Sequence, residues 1–211
     1  MNAAFKKSHT LSLPKKQTTV KIIADIISKS IEVKQQILQD EILLGKVQQS
    51  VDLVTLAFKN GCKVLFCGNG GSAADAQHLA AEFSGRFYKD RAALPSEALH
   101  CNTSYLTAVA NDYSYDVIYS RIIDGTGNPG DVLIGLSTSG NSGNIVKAFE
   151  SAHNKGMTTI GLTGSSGGVM KDCSDVLLNV PSFDTPRIQE SHIMLGHIIC
   201  QLVEENLFGS N

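Results

Sequence analysis

No apolar run in the 211-residue sequence approaches the ~18–20 residues of a membrane span, so no transmembrane segment is expected. The N-terminal stretch MNAAFKKSHTLSLPKKQ carries lysines but has neither a continuous apolar core nor a small-residue cleavage site, and no signal peptide is expected. The five cysteines form no CxxC pair and leave an odd one over, which points away from a disulfide framework or a four-thiolate metal site. Structural thiols in a reducing cytoplasm are the default reading. A formal net charge of −2 supplies no general attraction to nucleic acid or anionic lipid. Internal repeats, low-complexity tracts and a Walker A lysine pattern are also missing. With 42% apolar and 18% charged residues, what remains is a globular chain long enough for one core.

Residues 1–17 read as a flexible N-terminal arm, and 18–211 as one domain. From Thr18 to Asn60 apolar residues recur every three or four positions: Ile23, Ile27, Ile31, Ile37, then Leu44, Val47, Val51, Val54 and Phe58. A polar stretch near Gln39–Glu41, together with Gly45, suggests two helices rather than one. Their apolar stripes can cover the sheet or meet another subunit. Beyond Gly61 the rhythm changes. Short apolar runs at Lys63–Cys67, Glu97–His100, Asp131–Leu136, Thr158–Leu162 and Val176–Val180 read as strands buried on both faces of a parallel sheet. Helices are expected around 73–84, 104–123, 143–155 and 167–172, with a long final one from Arg187 to Leu207. The alternation implies an α/β fold, doubly wound, with a mostly parallel five-stranded sheet and N-terminal helices.

Ligands of such sheets sit beyond the carboxyl ends of the strands. Two loops there share a composition: Gly68-Asn69-Gly70-Gly71-Ser72 after the first strand, and Ser137-Thr138-Ser139-Gly140-Asn141-Ser142 after the third. Glycine lets the backbone approach a ligand, hydroxyls donate hydrogen bonds, and a helix N-terminus adds free N–H groups, so a phosphate ester is the natural guest. Turns and helix caps have the same composition, which is the plainer reading. Gly68, Gly70 and Ala73 also fit GxGxxA. A dinucleotide site wants an acidic residue after the next strand, however, and Leu99-His100-Cys101-Asn102 supplies none. No nucleotide cofactor is expected.

His78 and Glu82 are four apart on the helix that the first loop opens, a spacing that suits a divalent ion, an acid–base pair or an ordinary surface pair. The final helix carries Arg187, Gln189, Glu190, His192 and His197. Gln189 and His197 are eight apart, a rise of about 12 Å. Side chains so separated hardly converge from one copy of the helix, so a site using both is expected between subunits. Asn111-Asp112 reads as a turn or as a pair holding sugar hydroxyls.

Together these segments resemble one family. CGNGGSAADAQHLAAEFSGRF, LTAVANDY, GDVLIGLSTSGNS, GMTTIGLTG and TPRIQESHIMLGHI, spread over residues 20 to 207, are similar to the bacterial phosphoheptose isomerases of the sugar-isomerase (SIS) fold. The resemblance implies a flavodoxin-like sheet and a homotetramer that converts sedoheptulose 7-phosphate to D-glycero-D-manno-heptose 7-phosphate for lipopolysaccharide heptose. It implies that Asn69, Gly70, Gly71, Ser72, Ser137, Thr138, Ser139 and Ser142 surround the substrate, with the second loop on the phosphate. Asn111, Asp112 and Gln189 would contact the sugar, and Glu82 and His197 would carry the proton transfers. In zinc-containing members the ligands match His78, Glu82, Gln189 and His197, one ion per subunit.

A second relative shares several of these motifs and an "NTLFG"-like end, close to Glu205–Gly209 here. It is a non-catalytic SIS-fold protein that binds the replication initiator and promotes replication initiation. It lacks counterparts of Glu82 and His197, which favours the enzyme for this chain. A sugar-phosphate-sensing regulator would want a basic DNA-binding domain, and none is evident. Two departures from the family stand out. Cys101-Asn102 occupies a place where many members have a small residue and aspartate. Pro186 stands where some have an acid, whose role does not transfer. Arg86 would hold a carboxylate or tie subunits together, or lie on the surface.

Overall fold

A computed structural model describes residues 16–209. Five strands, β1 (Val64–Gly68), β2 (Ser96–Ala98), β3 (Val132–Ser137), β4 (Thr158–Thr163) and β5 (Val176–Asn179), form one sheet in the order β2-β1-β3-β4-β5. Every pairing is parallel, with Phe66 beside Ala98 on one side and Ile134 on the other. The strands lie within a residue or two of the runs expected from sequence.

Helices cover both faces. Alternate side chains of a strand point to opposite faces, so Val64 and Phe66 of β1 enter one core and Leu65 and Cys67 the other. The first core lies under α2 (Glu41–Lys59), α3 (Gly71–Ser84) and α7 (Thr185–Phe208). The second lies under α4 (Thr103–Asp112), α5 (Ile118–Thr126) and α6 (Gly143–Asn154). Burial on both sides is why these strands are apolar throughout rather than alternating.

The N-terminal segment is two helices, as expected. α1 (Lys16–Gln39) stops at Asp40, whose carboxylate accepts the Leu43 N–H at 2.9 Å and starts α2. Gly45 is no break and sits inside α2. The helix begins at Lys16 rather than Thr18, and the rest of the expected arm lies outside the described residues. Residues 18–29 of α1 are all exposed, and the helix is tied to α7 further along, where Ser30 Oγ donates to Glu190 at 2.6 Å.

Two expected helices differ. The 104–123 stretch is broken: α4 ends at Asp112, Ser114 is extended (φ −167°, ψ 160°), and a short 3-10 turn at Tyr115–Val117 leads into α5. The apolar spacing continues across the break, so periodicity alone concealed it. The 167–172 stretch is only a 3-10 turn, Val169–Asp172, because Gly167 and Gly168 both take positive φ.

Candidate active site

The sheet order reverses between β1 and β3, the place where open α/β sheets bind ligands. Both predicted loops open there. Gly70 begins α3 with φ +57° and Ser142 begins α6, and neither helix start is satisfied by its own side-chain cap. Ser142 Oγ instead lies 2.8 Å from Ser137 Oγ, while Ser139 Oγ accepts the Asn141 N–H at 3.1 Å. Gly140 (φ +68°) packs against the Gly167 backbone so closely that a side chain there would collide with it. A row of hydroxyls beside the N-termini of two helices has the donors an anion would need.

The two loops are fastened together. Asn69 and Asn144 exchange amide hydrogen bonds, both at 2.9 Å, and the Tyr115 hydroxyl donates to Asn69 Oδ1 at 3.0 Å. Asn69, expected to face substrate, is therefore committed mainly to Asn144, which is buried. Tyr119 donates to the Gly68 carbonyl at 2.5 Å. Ser72 is buried, whereas Thr138 and Gln189 are partly exposed and Gly71 and Ser139 exposed. Asn111 and Asp112 end α4, exposed, with the Asn111 amide donating to Asp112 at 2.9 Å.

Along α3 the predicted reaction groups converge. His78 Nε2 is 3.0 Å from Glu82 Oε1 and 3.0 Å from His197 Nε2. One atom from each of the three lies within 4.8 Å of the others. α3 and α7 run side by side in the same direction, so the helix carrying His197 reaches the helix carrying the pair. Two facing ring nitrogens need a proton between them or a cation. Ligands of a tetrahedral zinc at ~2.0–2.1 Å would stand roughly 3.3 Å apart, close to what is seen. The chemistry of this donor set, two imidazoles and a carboxylate, fits a divalent ion with an open position.

Gln189 is not in that group. It lies over Gly71, where a Cβ would come within 2.6 Å of the Gln189 amide nitrogen. Its place is at the loop end of α3. His197 is two turns further on, as the rise between them requires.

Sequence reasoning missed several neighbours. Asp75, one turn before His78, is half-buried; burial pushes its carboxyl above the ordinary value, and the charges of His78 and His197 pull it back. Its spacing to His78 was the available signal. Tyr115 and Asn144 act through contacts distant in sequence and gave none. Arg86 is exposed, as are Cys101 and Asn102, the latter capping α4 through the Tyr105 N–H at 3.1 Å. The Cys67 and Cys200 thiols are buried and raised by that burial, in keeping with structural roles.

Comparison with known proteins places this geometry. A family model described as SIS domain matches residues 27–164, which defines the class. The phosphoheptose isomerase of Clostridium acetobutylicum is 56% identical over 183 residues, 87% of this chain and 93% of that one. That of Aneurinibacillus thermoaerophilus is 54% identical over 182 residues, 86% of this chain and 92% of that one. The solved phosphoheptose isomerase from Neisseria gonorrhoeae superposes with a TM-score of 0.83 at 43% identity, covering 89% of this chain and 99% of that one. The chain belongs to the phosphoheptose isomerases of the SIS family. The initiator-binding reading finds no support among these relatives.

Proposed function

We propose that this protein is an aldose–ketose isomerase that converts sedoheptulose 7-phosphate to D-glycero-D-manno-heptose 7-phosphate, the step that feeds lipopolysaccharide heptose. The observation that carries the reading is the meeting of His78 with Glu82 and His197, each 3.0 Å from it, on a chain that also carries a hydroxyl-lined loop at the helix N-termini. A cytoplasmic location belongs to the same proposal; no helix among the described residues is long and apolar enough to cross a membrane.

The hydroxyls of Ser137, Thr138, Ser139 and Ser142, with the N-termini of α3 and α6, take the phosphate. Ser137 and Ser142, now bonded to each other, are free to turn toward it. Asn111, Asp112 and Gln189 hold sugar hydroxyls. Glu82 removes the proton from the carbon next to the carbonyl and returns it to the neighbouring carbon. His197 moves a proton between the two oxygens. His78, Glu82 and His197 of one copy, with Gln189 contributed by a neighbouring copy, would hold one zinc per subunit, which when bound would polarise the carbonyl and orient the diol.

Glu82 is eleven residues beyond Gly71, about 16 Å along α3. One chain therefore presents its phosphate loops and its reaction groups at separate places, which supports sites completed between copies. The helical arm supports the same assembly. Ile22, Ile23, Ile26, Ile27 and Ile31 of α1 are each about half exposed, and an apolar groove of about 380 Å³ lies between α1, α2 and α7. A homotetramer is proposed.

The test is proton NMR of the purified protein with sedoheptulose 7-phosphate in deuterated buffer. Heptose 7-phosphate carrying deuterium at C2 is expected. No turnover from intact oligomer with zinc supplied would overturn the proposal.

A further inference from the structure

The loop that follows α3 is organised by one buried ion pair. Arg91 Nε donates to Glu204 Oε1 at 2.9 Å, and the two side chains are 2% and 1% exposed. Neither residue touches the phosphate loops, and neither was singled out by any sequence motif. A buried ion pair seldom contributes more stability than well-packed apolar side chains would. What it does fix is geometry.

Both partners are fully engaged. The Glu204 carboxylate also accepts the N–H groups of Phe87 at 3.2 Å, Tyr88 at 2.8 Å and Lys89 at 2.9 Å. The Arg91 guanidinium donates to the carbonyls of Glu82 and Phe83, both at 2.8 Å, and to those of Gly85 and Ala92. The last carbonyls of a helix have no partner within it, and here a rigid, planar donor fork supplies one. Glu204 lies seven residues after His197, two turns along the same face of α7. Phe87, held by its N–H on Glu204, sets its ring 5.6 Å from the His197 imidazole.

We propose that Arg91 and Glu204 are positioning residues for the reaction: their ion pair locks the last turn of α3, with Glu82, against α7 and His197. The guanidinium grips the peptide of Glu82 itself, and the carboxylate sets the ring that flanks His197. The spacing of the two proton-transfer groups thus depends on a pair that never meets substrate. This rests on the reading that Glu82 and His197 carry the chemistry.

The experiment compares Arg91→Lys, Arg91→Met and Glu204→Gln with wild type for kcat, KM for sedoheptulose 7-phosphate, and zinc affinity by competition with a chelator. Arg91→Lys is the mild variant, since it keeps a cation beside Glu204 and loses the fork onto the Glu82 carbonyl. A misplacement of reacting groups on the order of 1 Å can cost about 100-fold, so kcat is expected to fall about 10- to 100-fold. KM should stay within about three-fold, because the phosphate loops lie at the other end of α3. Zinc affinity should fall by about 10-fold or more, as for other residues that orient ligands from behind. A folded Arg91→Lys or Glu204→Gln protein with wild-type kcat and zinc affinity would overturn the inference, as would activity lost only in proportion to unfolded protein. Glu82→Gln serves as the control: wild-type turnover there would remove the underlying reading, and the inference with it.

Discussion

Asn69 and Asn144 face each other across the mouth of the sheet and exchange two amide hydrogen bonds of 2.9 Å. One belongs to the loop after β1, the other to the first turn of α6, and the pair holds the two loops in register. Each loop is rich in glycine and short polar residues, which favour many conformations when unpaired. The amide pair selects one.

Asn144→Ala should therefore leave Asn69 half-satisfied in a partly buried place. The expected cost is about 1–3 kcal/mol of stability, seen as a lower urea midpoint. KM for the sugar phosphate should rise more than kcat falls. Asn144→Asp keeps the size but loses the donor to Asn69, and should show the same direction.

Glu82→Gln keeps the shape of the side chain and removes its basicity. Turnover should fall by about 100- to 10,000-fold with the oligomer intact. His78→Ala removes one of the three converging donors, and bound zinc measured by elemental analysis should drop. Unchanged metal content in that variant would dismiss the ligand set.

The exposed isoleucines of α1 predict the assembly. Ile23→Lys with Ile27→Lys places two charges on a stripe whose members are 51% and 54% exposed in the single chain. Sedimentation should show smaller species, and activity should fall with assembly under the proposal that the sites are shared between copies. An active monomer would refute sharing.

His192 gives a pH signature. It is fully buried, with Nε2 donating to the Thr163 carbonyl at 3.1 Å and Nδ1 without a partner among the described residues. Burial lowers its pKa from 6.5 to about 4, outweighing the opposing pull of the Thr163 carbonyl. The folded state thus prefers the neutral ring, and the unfolded chain takes up the proton first. Stability from this residue is complete above about pH 6.5 and is lost as the pH falls toward 4, a change of about 3 kcal/mol. Urea titrations between pH 7.5 and 4.5 should show this slope in the wild type and a flatter one in His192→Gln.

Much of this protein is written in local sequence. Strands β1, β3 and β4 were visible as unbroken apolar runs because both faces of a parallel sheet are buried, and the GNGGS and STSGNS loops were visible because small and hydroxylic residues cluster where a strand turns into a helix. His78 and Glu82 were legible from a spacing that any helix turns into proximity. Where the pattern depended on local backbone detail it misled: the apolar rhythm ran straight through the break at Asp112–Ser114.

What the sequence could not determine are the meetings of residues far apart in the chain. His197 joins His78 across 119 positions because α3 and α7 lie side by side, and the same parallel packing sends Gln189 to Gly71 instead of to that group. Arg91 finds Glu204, and Asn69 finds Asn144, only after the helices are laid on the sheet. Periodicity and composition are set by neighbours within a few residues, so the sequence alone determined the α/β class, the strands and the loops. The separation of the GNGGS and STSGNS loops from the His78, Glu82 and His197 group along α3 was decided by tertiary packing, because only the direction and offset of two helices can say which distant side chains share a space.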